Sequence, residues 1–65
     1  MTAEQYVKNI YPSATCSRDI INLDGKNIPY WQIKIRGAIE PISVGKSESN
    51  AWKNAKDKIV YDQTI

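Results

Sequence analysis

The stretch VGKSESNAWKNAKDKI, residues 44–59, indicates the fold of the chain most clearly. Its order is typical of a strand end, a glycine turn, a serine helix cap and then an amphipathic helix. Trp52, Ala55 and Ile59 fall within one narrow arc of that helix, whereas polar residues occupy the opposite side. We therefore expect a helix from about Ser47, whose alanines let it approach a sheet closely and whose tryptophan supplies apolar area.

A shorter helix is predicted at the start of the chain. Thr2 and Gln5 have the spacing of a capping box, and the residues after them carry apolar side chains at helical spacing. Pro12 disfavours helical backbone at the residue before it, so this helix should end near Ile10. At the other end of the chain, no pattern continues past Tyr61, where we expect the C-terminal helix to fray.

Three strands are predicted between the helices. The first, residues 14–23, is irregular, and the Asp24-Gly25 pair that follows is a strong hairpin signal. The third is shorter, covers residues 39–44, and should place its last two apolar side chains, Ile42 and Val44, on one face.

The second strand has the clearest alternation and should begin at about Pro29, where a missing N–H is tolerated. Trp31, Ile33 and Ile35 alternate with polar residues, so one face is apolar and the other is wet. The wet face consists of Tyr30, Gln32, Lys34 and Arg36. Both tryptophans of the chain lie on apolar faces and are expected in the core.

These elements predict one small α+β domain over residues 1–65 with the order αβββα. The simplest arrangement lays both helices on one face of a three-stranded antiparallel sheet and leaves the other face wet. One cysteine and no histidine exclude an internal disulfide and leave too few ligands for a zinc cluster. We expect no cofactor and no bound metal.

Composition limits the possible environments and partners. The N-terminus has no basic region followed by an apolar run, and no segment is long and apolar enough to span a membrane. A lone thiol without an export signal favours the cytoplasm. The formal net charge of +2 permits an anionic partner without requiring one.

The topology resembles the double-stranded RNA-binding domain over nearly the whole chain. Trp31 resembles the aromatic residue that opens that family's second strand, and Gly45 and Ser47 resemble its turn and helix cap. Ala51 and Ala55 resemble the helix alanines that pack on its sheet. The resemblance implies the αβββα fold and, as one function, binding of nucleic acid.

The lysines that this family directs at RNA phosphates are absent. Glu48, Ser49 and Trp52 hold those places, and a carboxylate repels phosphate. The chain also has no histidine for the family's loop. A protein partner is therefore favoured over duplex RNA.

A second, weaker resemblance is to small phage and prophage proteins. Its motifs are a Tyr-Trp strand, a glycine turn and a helix that opens with Ser-Glu and Ala-Trp, present here as Tyr30-Trp31, Ser47-Glu48 and Ala51-Trp52. This resemblance implies an accessory protein of a mobile element that interferes with host machinery.

Two surfaces are candidate binding sites. The first is the wet sheet face with one neighbour from the first strand: Tyr30, Gln32, Lys34, Arg36 and Arg18. An aromatic ring beside several cations suits stacking on a base and holding phosphates, or contact with an acidic protein surface. The second is a basic group around the last helix: Lys46, Lys53 and Lys56. Both patterns are also typical of a merely solvated face.

No catalytic residues are expected, because the acidic residues show no paired spacing and Cys16 has no histidine or second thiol to activate it. The sequence therefore predicts a non-enzymatic binding module without a small-molecule substrate. We expect a host or phage protein as its partner, which it inhibits or connects to others; nucleic acid is the alternative. An exposed strand edge also makes a homodimer through strand addition a prediction.

Overall fold

The protein is described here by a computed structural model, which covers residues 1–64. Its elements are α1 (Ala3–Ile10), β1 (Thr15–Leu23), β2 (Lys26–Lys34), β3 (Ser43–Gly45) and α2 (Glu48–Thr64). The three strands form one antiparallel sheet in the order β1-β2-β3. The predicted α+β architecture and its αβββα order are confirmed.

The hairpin between β1 and β2 forms where the sequence predicts it. Asp24 and Gly25 have φ angles of 51° and 78°, the left-handed backbone that a two-residue turn between twisted strands requires. Leu23 pairs with Lys26 across this turn, and the pairing continues without interruption to Thr15. The irregular first strand is therefore paired along its whole length.

Pro29 lies inside β2, so the prediction that the strand begins there is wrong. The strand starts three residues earlier, at Lys26. Pro29 lies opposite Ile20 of β1, at a position where the backbone nitrogen points away from β1. β3, on that other side, pairs only with residues 31–33 and does not extend to Pro29. No ladder bond is lost there, which is the condition under which a sheet accepts proline.

The third strand is shorter than predicted, and its two apolar side chains do not share a surface. Ile42 packs against the core, whereas Val44 lies opposite Gln32 and is half exposed. Pro41 has no N–H to donate to a ladder, and the first bond to β2 runs from the Ile42 N–H to the Ile33 carbonyl.

The core lies between the helices and one face of the sheet. Its buried apolar residues are Val7, Ala14, Ile33, Ala51, Trp52, Ala55 and Ile59. α1 packs alongside α2, and α2 packs on all three strands. Trp52 is buried as predicted, whereas Trp31 is only half-buried and packs against the edge of this cluster.

Gly45 is the last residue of β3. The prediction that glycine is needed there for a turn is wrong. A Cβ at this position would lie 2.5 Å from the backbone nitrogen of Ala51 in α2. Glycine is needed because strand and helix backbones approach closely, with no left-handed φ involved. The predicted cap is confirmed: Ser47 Oγ accepts the Asn50 N–H at 3.2 Å.

The N-terminus of α1 agrees with the prediction, whereas the C-terminus of α2 does not. The capping box of α1 is present, with Thr2 and Gln5 bonded reciprocally at 3.0 and 3.1 Å. The predicted fraying after Tyr61 is wrong, because α2 continues to Thr64. The Tyr6 hydroxyl of α1 donates to Gln63 Oε1 at 3.2 Å, so the last turn of α2 has a partner.

Candidate functional site

The face of the sheet that points away from the helices is called here the outer face. Residues directly opposite each other in antiparallel strands share a face, so the register assigns the members of this surface. From β1 and β2 they are the pairs Thr15–Lys34, Ser17–Gln32, Asp19–Tyr30, Ile21–Ile28 and Leu23–Lys26. β3 adds Val44, which lies opposite Gln32.

A groove of about 470 Å³ crosses the outer face. The lining of this outer groove includes Ile21, Ile28, Tyr30, Gln32, Val44 and Lys46. Three strands contribute to it, and most of its floor is the paired hairpin of β1 and β2. Pro41, in the loop between β2 and β3, adds to the lining.

The outer groove is largely apolar, which corrects the prediction of a uniformly wet face. Ile21 is 42% exposed, Ile28 43% and Val44 50%, and no helix covers any of them. Sequence reasoning missed Ile28 because it began the second strand at Pro29. The alternation Lys26, Ile28, Tyr30, followed back to the hairpin turn, would have found it.

Gln32 is placed on the predicted face, but it is not solvated. It is only 6% exposed, because it lies in the central strand between Ser17 of β1 and Val44 of β3. Lys34, two residues further along β2, is exposed at the end of the same face. Of the predicted face residues, Tyr30 and Gln32 therefore line the groove, while Lys34 marks one end of the outer face.

Arg18 and Arg36 do not join the outer face. Arg18 lies opposite Trp31 and so belongs to the helix side of the sheet, which makes its predicted placement wrong. Arg36 follows the end of β2 in a turn, where its backbone N–H donates to Ser13 Oγ at 3.1 Å. The predicted row of cations on one strand face is thus reduced to Lys34.

The three lysines predicted around the last helix do not form one group. Lys46 lines the outer groove, at the junction of β3 and α2. Lys56 lies on the side of α2 that faces α1, with its Nζ 5.4 Å from the centre of the Tyr6 ring. Lys53 is exposed on α2. Only Lys46 is therefore close to the groove.

Tyr30 and Asp19 are linked across the hairpin beside the groove. The Tyr30 hydroxyl donates to Asp19 Oδ2 at 3.3 Å, and Asp19 Oδ1 accepts the Ile20 N–H at 2.8 Å. Desolvation raises the pKa of Tyr30 above its ordinary value, and the charge and hydrogen bond of Asp19 raise it further. The phenol therefore stays protonated at neutral pH and remains a hydrogen-bond donor.

At each edge of the sheet, a side chain forms a hydrogen bond with a backbone group of the edge strand. A two-residue hairpin turn directs the Ile20 N–H away from β2, and Asp19 accepts it. At the opposite edge, Asn54 of α2 donates to the Val44 carbonyl at 2.8 Å. These two contacts occupy groups that an added strand would use, so they disfavour edge pairing at those points.

A second recess, of about 310 Å³, lies where the N-termini of the two helices meet and is lined by Glu4, Glu48 and Trp52 among others. Burial raises the pKa of the Cys16 thiol, and the nearby charges of Glu48 and Glu4 raise it further. A protonated thiol is a poor nucleophile. Among residues 1–64 there is no group of three or more potential metal ligands from His, Cys, Asp and Glu.

Within the described part of the chain, no helix has the length and apolar character needed to cross a membrane. Comparison with protein-family models, with curated proteins and with solved structures gives no match to this chain. What fold and site define is thus a small αβββα protein whose sheet carries a partly apolar, uncovered outer face.

Proposed function

We propose that this protein is a non-enzymatic binding module that attaches to another protein through its outer groove. The observation that carries the proposal is the exposure of Ile21, Ile28 and Val44 together on a paired sheet. Scattered exposed apolar residues need no explanation, but a contiguous group with an aromatic neighbour is typical of a protein interface. Tyr30 supplies that aromatic neighbour, and its hydroxyl group is oriented by the hydrogen bond that it donates to Asp19.

The biological role we propose is that of an accessory protein that inhibits host machinery or connects it to another component. Its support is the resemblance of the Tyr30-Trp31 and Ala51-Trp52 motifs to those of small phage proteins. Attachment through a preformed surface is sufficient for either role, because blocking or bridging a partner needs no chemistry.

Nucleic-acid binding, the alternative, has less support. Its expected cations do not lie together. Arg18 is on the helix side of the sheet, Lys34 is at one end of the outer face, and Arg36 is in the turn after β2. The centre of the outer groove carries three aliphatic side chains and a single aromatic ring, whereas a nucleic-acid site carries a row of cations and stacking rings.

The proposal is tested by selecting peptides from a random displayed library on the immobilised protein and measuring their affinities in solution. Ile28→Asp should weaken the selected peptides at least about tenfold, since it places a charge in the apolar floor. The matched control is Ile39→Asp, the same change at a fully exposed isoleucine that does not line the groove. Circular dichroism establishes that both variants fold.

Equal loss of binding in the two variants, or none in either, would contradict the proposal. A gel-shift titration with duplex RNA, duplex DNA and single strands tests the alternative. Binding that falls steeply with added salt and is weakened by Lys34→Ala and Arg36→Ala would establish nucleic acid as the partner instead.

A further inference from the structure

The apolar centre of the outer face is bordered by lysines. Lys26 and Lys34 lie at the two ends of the outer face of β2, with Ile28, Tyr30 and Gln32 between them. The two lysines are eight steps apart along an extended strand, which corresponds to roughly 27 Å between their Cα atoms. Lys46 lines the groove from the side of β3.

None of these three lysines is neutralised within the described residues. The one ion pair among residues 1–64 joins Lys8 to Glu4 within α1. Asp19 is the only carboxylate at an outer-face strand position, and it already accepts the Ile20 N–H and the Tyr30 hydroxyl. Asp24 and Glu40 lie in the connections between strands and not at outer-face strand positions. The outer face and the groove lining together therefore carry three lysines and one carboxylate.

A second copy of the chain does not fit this charge pattern. Two identical outer faces that pack about a two-fold axis bring the same three lysines towards one another, and like charges in an interface are repulsive. A duplex nucleic acid would satisfy the lysines but would leave Ile21, Ile28 and Val44 against a polar backbone. The complementary surface has apolar side chains at its centre and carboxylates at its ends.

We infer that the occupant of the outer groove is a short acidic amphipathic segment of the partner protein. This inference rests on the proposed function and specifies the partner's chemistry. Apolar side chains of the segment cover Ile21, Ile28 and Val44, while its carboxylates lie near Lys26, Lys34 and Lys46. Buried apolar contacts supply affinity, and the rim charges supply specificity and a faster encounter.

The experiment uses three fluorescent peptides with the same Val/Leu centre and with Glu, Gln or Lys at both ends. Anisotropy titrations at low salt measure their Kd values for the unmodified protein. The acidic peptide should bind tightest, and the double variant K26E/K34E should bind it at least about tenfold more weakly. That variant should instead prefer the Lys-ended peptide. The matched control, K53E/K58E, reverses two exposed charges on α2 and should behave like the unmodified protein.

The possible failures are distinguishable. If the three peptides bind equally and Ile28→Asp abolishes all three, the acidic segment is excluded while the proposed function stands. If no peptide binds, or if Ile28→Asp has no effect on binding, both are overturned. Displacement of the acidic peptide by duplex RNA in a salt-sensitive manner would overturn the inference in favour of nucleic acid.

Discussion

Ile21 and Ile28 lie directly opposite each other across the β1–β2 hairpin, and both side chains project onto the outer face. Such a cross-strand pair of branched side chains stabilises a hairpin, yet each keeps more than two fifths of its surface exposed. On the other face of the sheet, α2 packs on all three strands. Burial within this chain therefore does not account for this pair, and the function proposed above assigns it to contact with a partner.

The two faces of β2 should respond differently to truncation. Ile33→Ala removes a fully buried side chain and should lower the free energy of unfolding by about 2–5 kcal/mol. Ile28→Ala, in the same strand, should cost less than about 1 kcal/mol because the side chain is already partly solvated. Urea unfolding followed by tryptophan fluorescence measures both. Equal costs would mean that Ile28 serves the core rather than a surface.

Gly45 should tolerate no side chain. Gly45→Ala places a methyl group against the backbone of α2 and should destabilise the fold by about 1–3 kcal/mol. The control is Gly37, whose φ of 86° is left-handed and whose surroundings are open. Gly37→Asn should cost under about 1 kcal/mol, since asparagine accepts that backbone, whereas Gly45→Asn should be as damaging as alanine. Thermal unfolding of the variants decides; similar melting temperatures would refute the close approach.

Local signals explain why most of the fold was predictable from the sequence. The capping box at Thr2, the hairpin turn at Asp24 and the cap at Ser47 each depend on a few neighbouring residues, and each forms as expected. The amphipathic arc around Trp52 likewise identifies the buried face of α2. These features need no knowledge of which strands pair.

The candidate site was less predictable because it depends on register. Arg18 shares a face of the sheet with whichever β2 residue lies opposite it, which is Trp31. A register shifted by one residue would place it on the outer face with Tyr30 instead. The irregular first strand contains no alternation that fixes this pairing. The apolar groove also depends on strand pairing, since Ile21 and Val44 lie on either side of β2.

Asp19 should protect the β1 edge from pairing with another chain. Asp19→Ala frees the Ile20 N–H, so this variant should self-associate through β1 as concentration rises. Asp19→Asn keeps a side-chain oxygen that accepts the same bond, and it should stay monomeric like the unmodified protein. Sedimentation equilibrium over a wide concentration range measures this. A dimer of the unmodified protein would show that the cap does not protect the edge.

Cys16 should react slowly at neutral pH. Its pKa is raised by burial and by Glu48 and Glu4, so the reactive thiolate forms only at a higher pH than in a free cysteine. Labelling by a disulfide reagent, followed against pH, should have its midpoint above the ordinary thiol value. Glu48→Gln removes one raising charge and should move that midpoint to lower pH. An unchanged profile in this variant would exclude the carboxylate as a cause.

The most direct test of the outer groove as a binding surface is an amide chemical-shift titration of the isotopically labelled protein with the Glu-ended peptide. The account predicts that the largest shifts lie at Ile21, Ile28, Tyr30 and Val44, with Lys26, Lys34 and Lys46 also perturbed. Residues on the exposed side of α2, such as Lys53, should remain unchanged. Shifts concentrated on the helices, with the outer face silent at saturation, would contradict it.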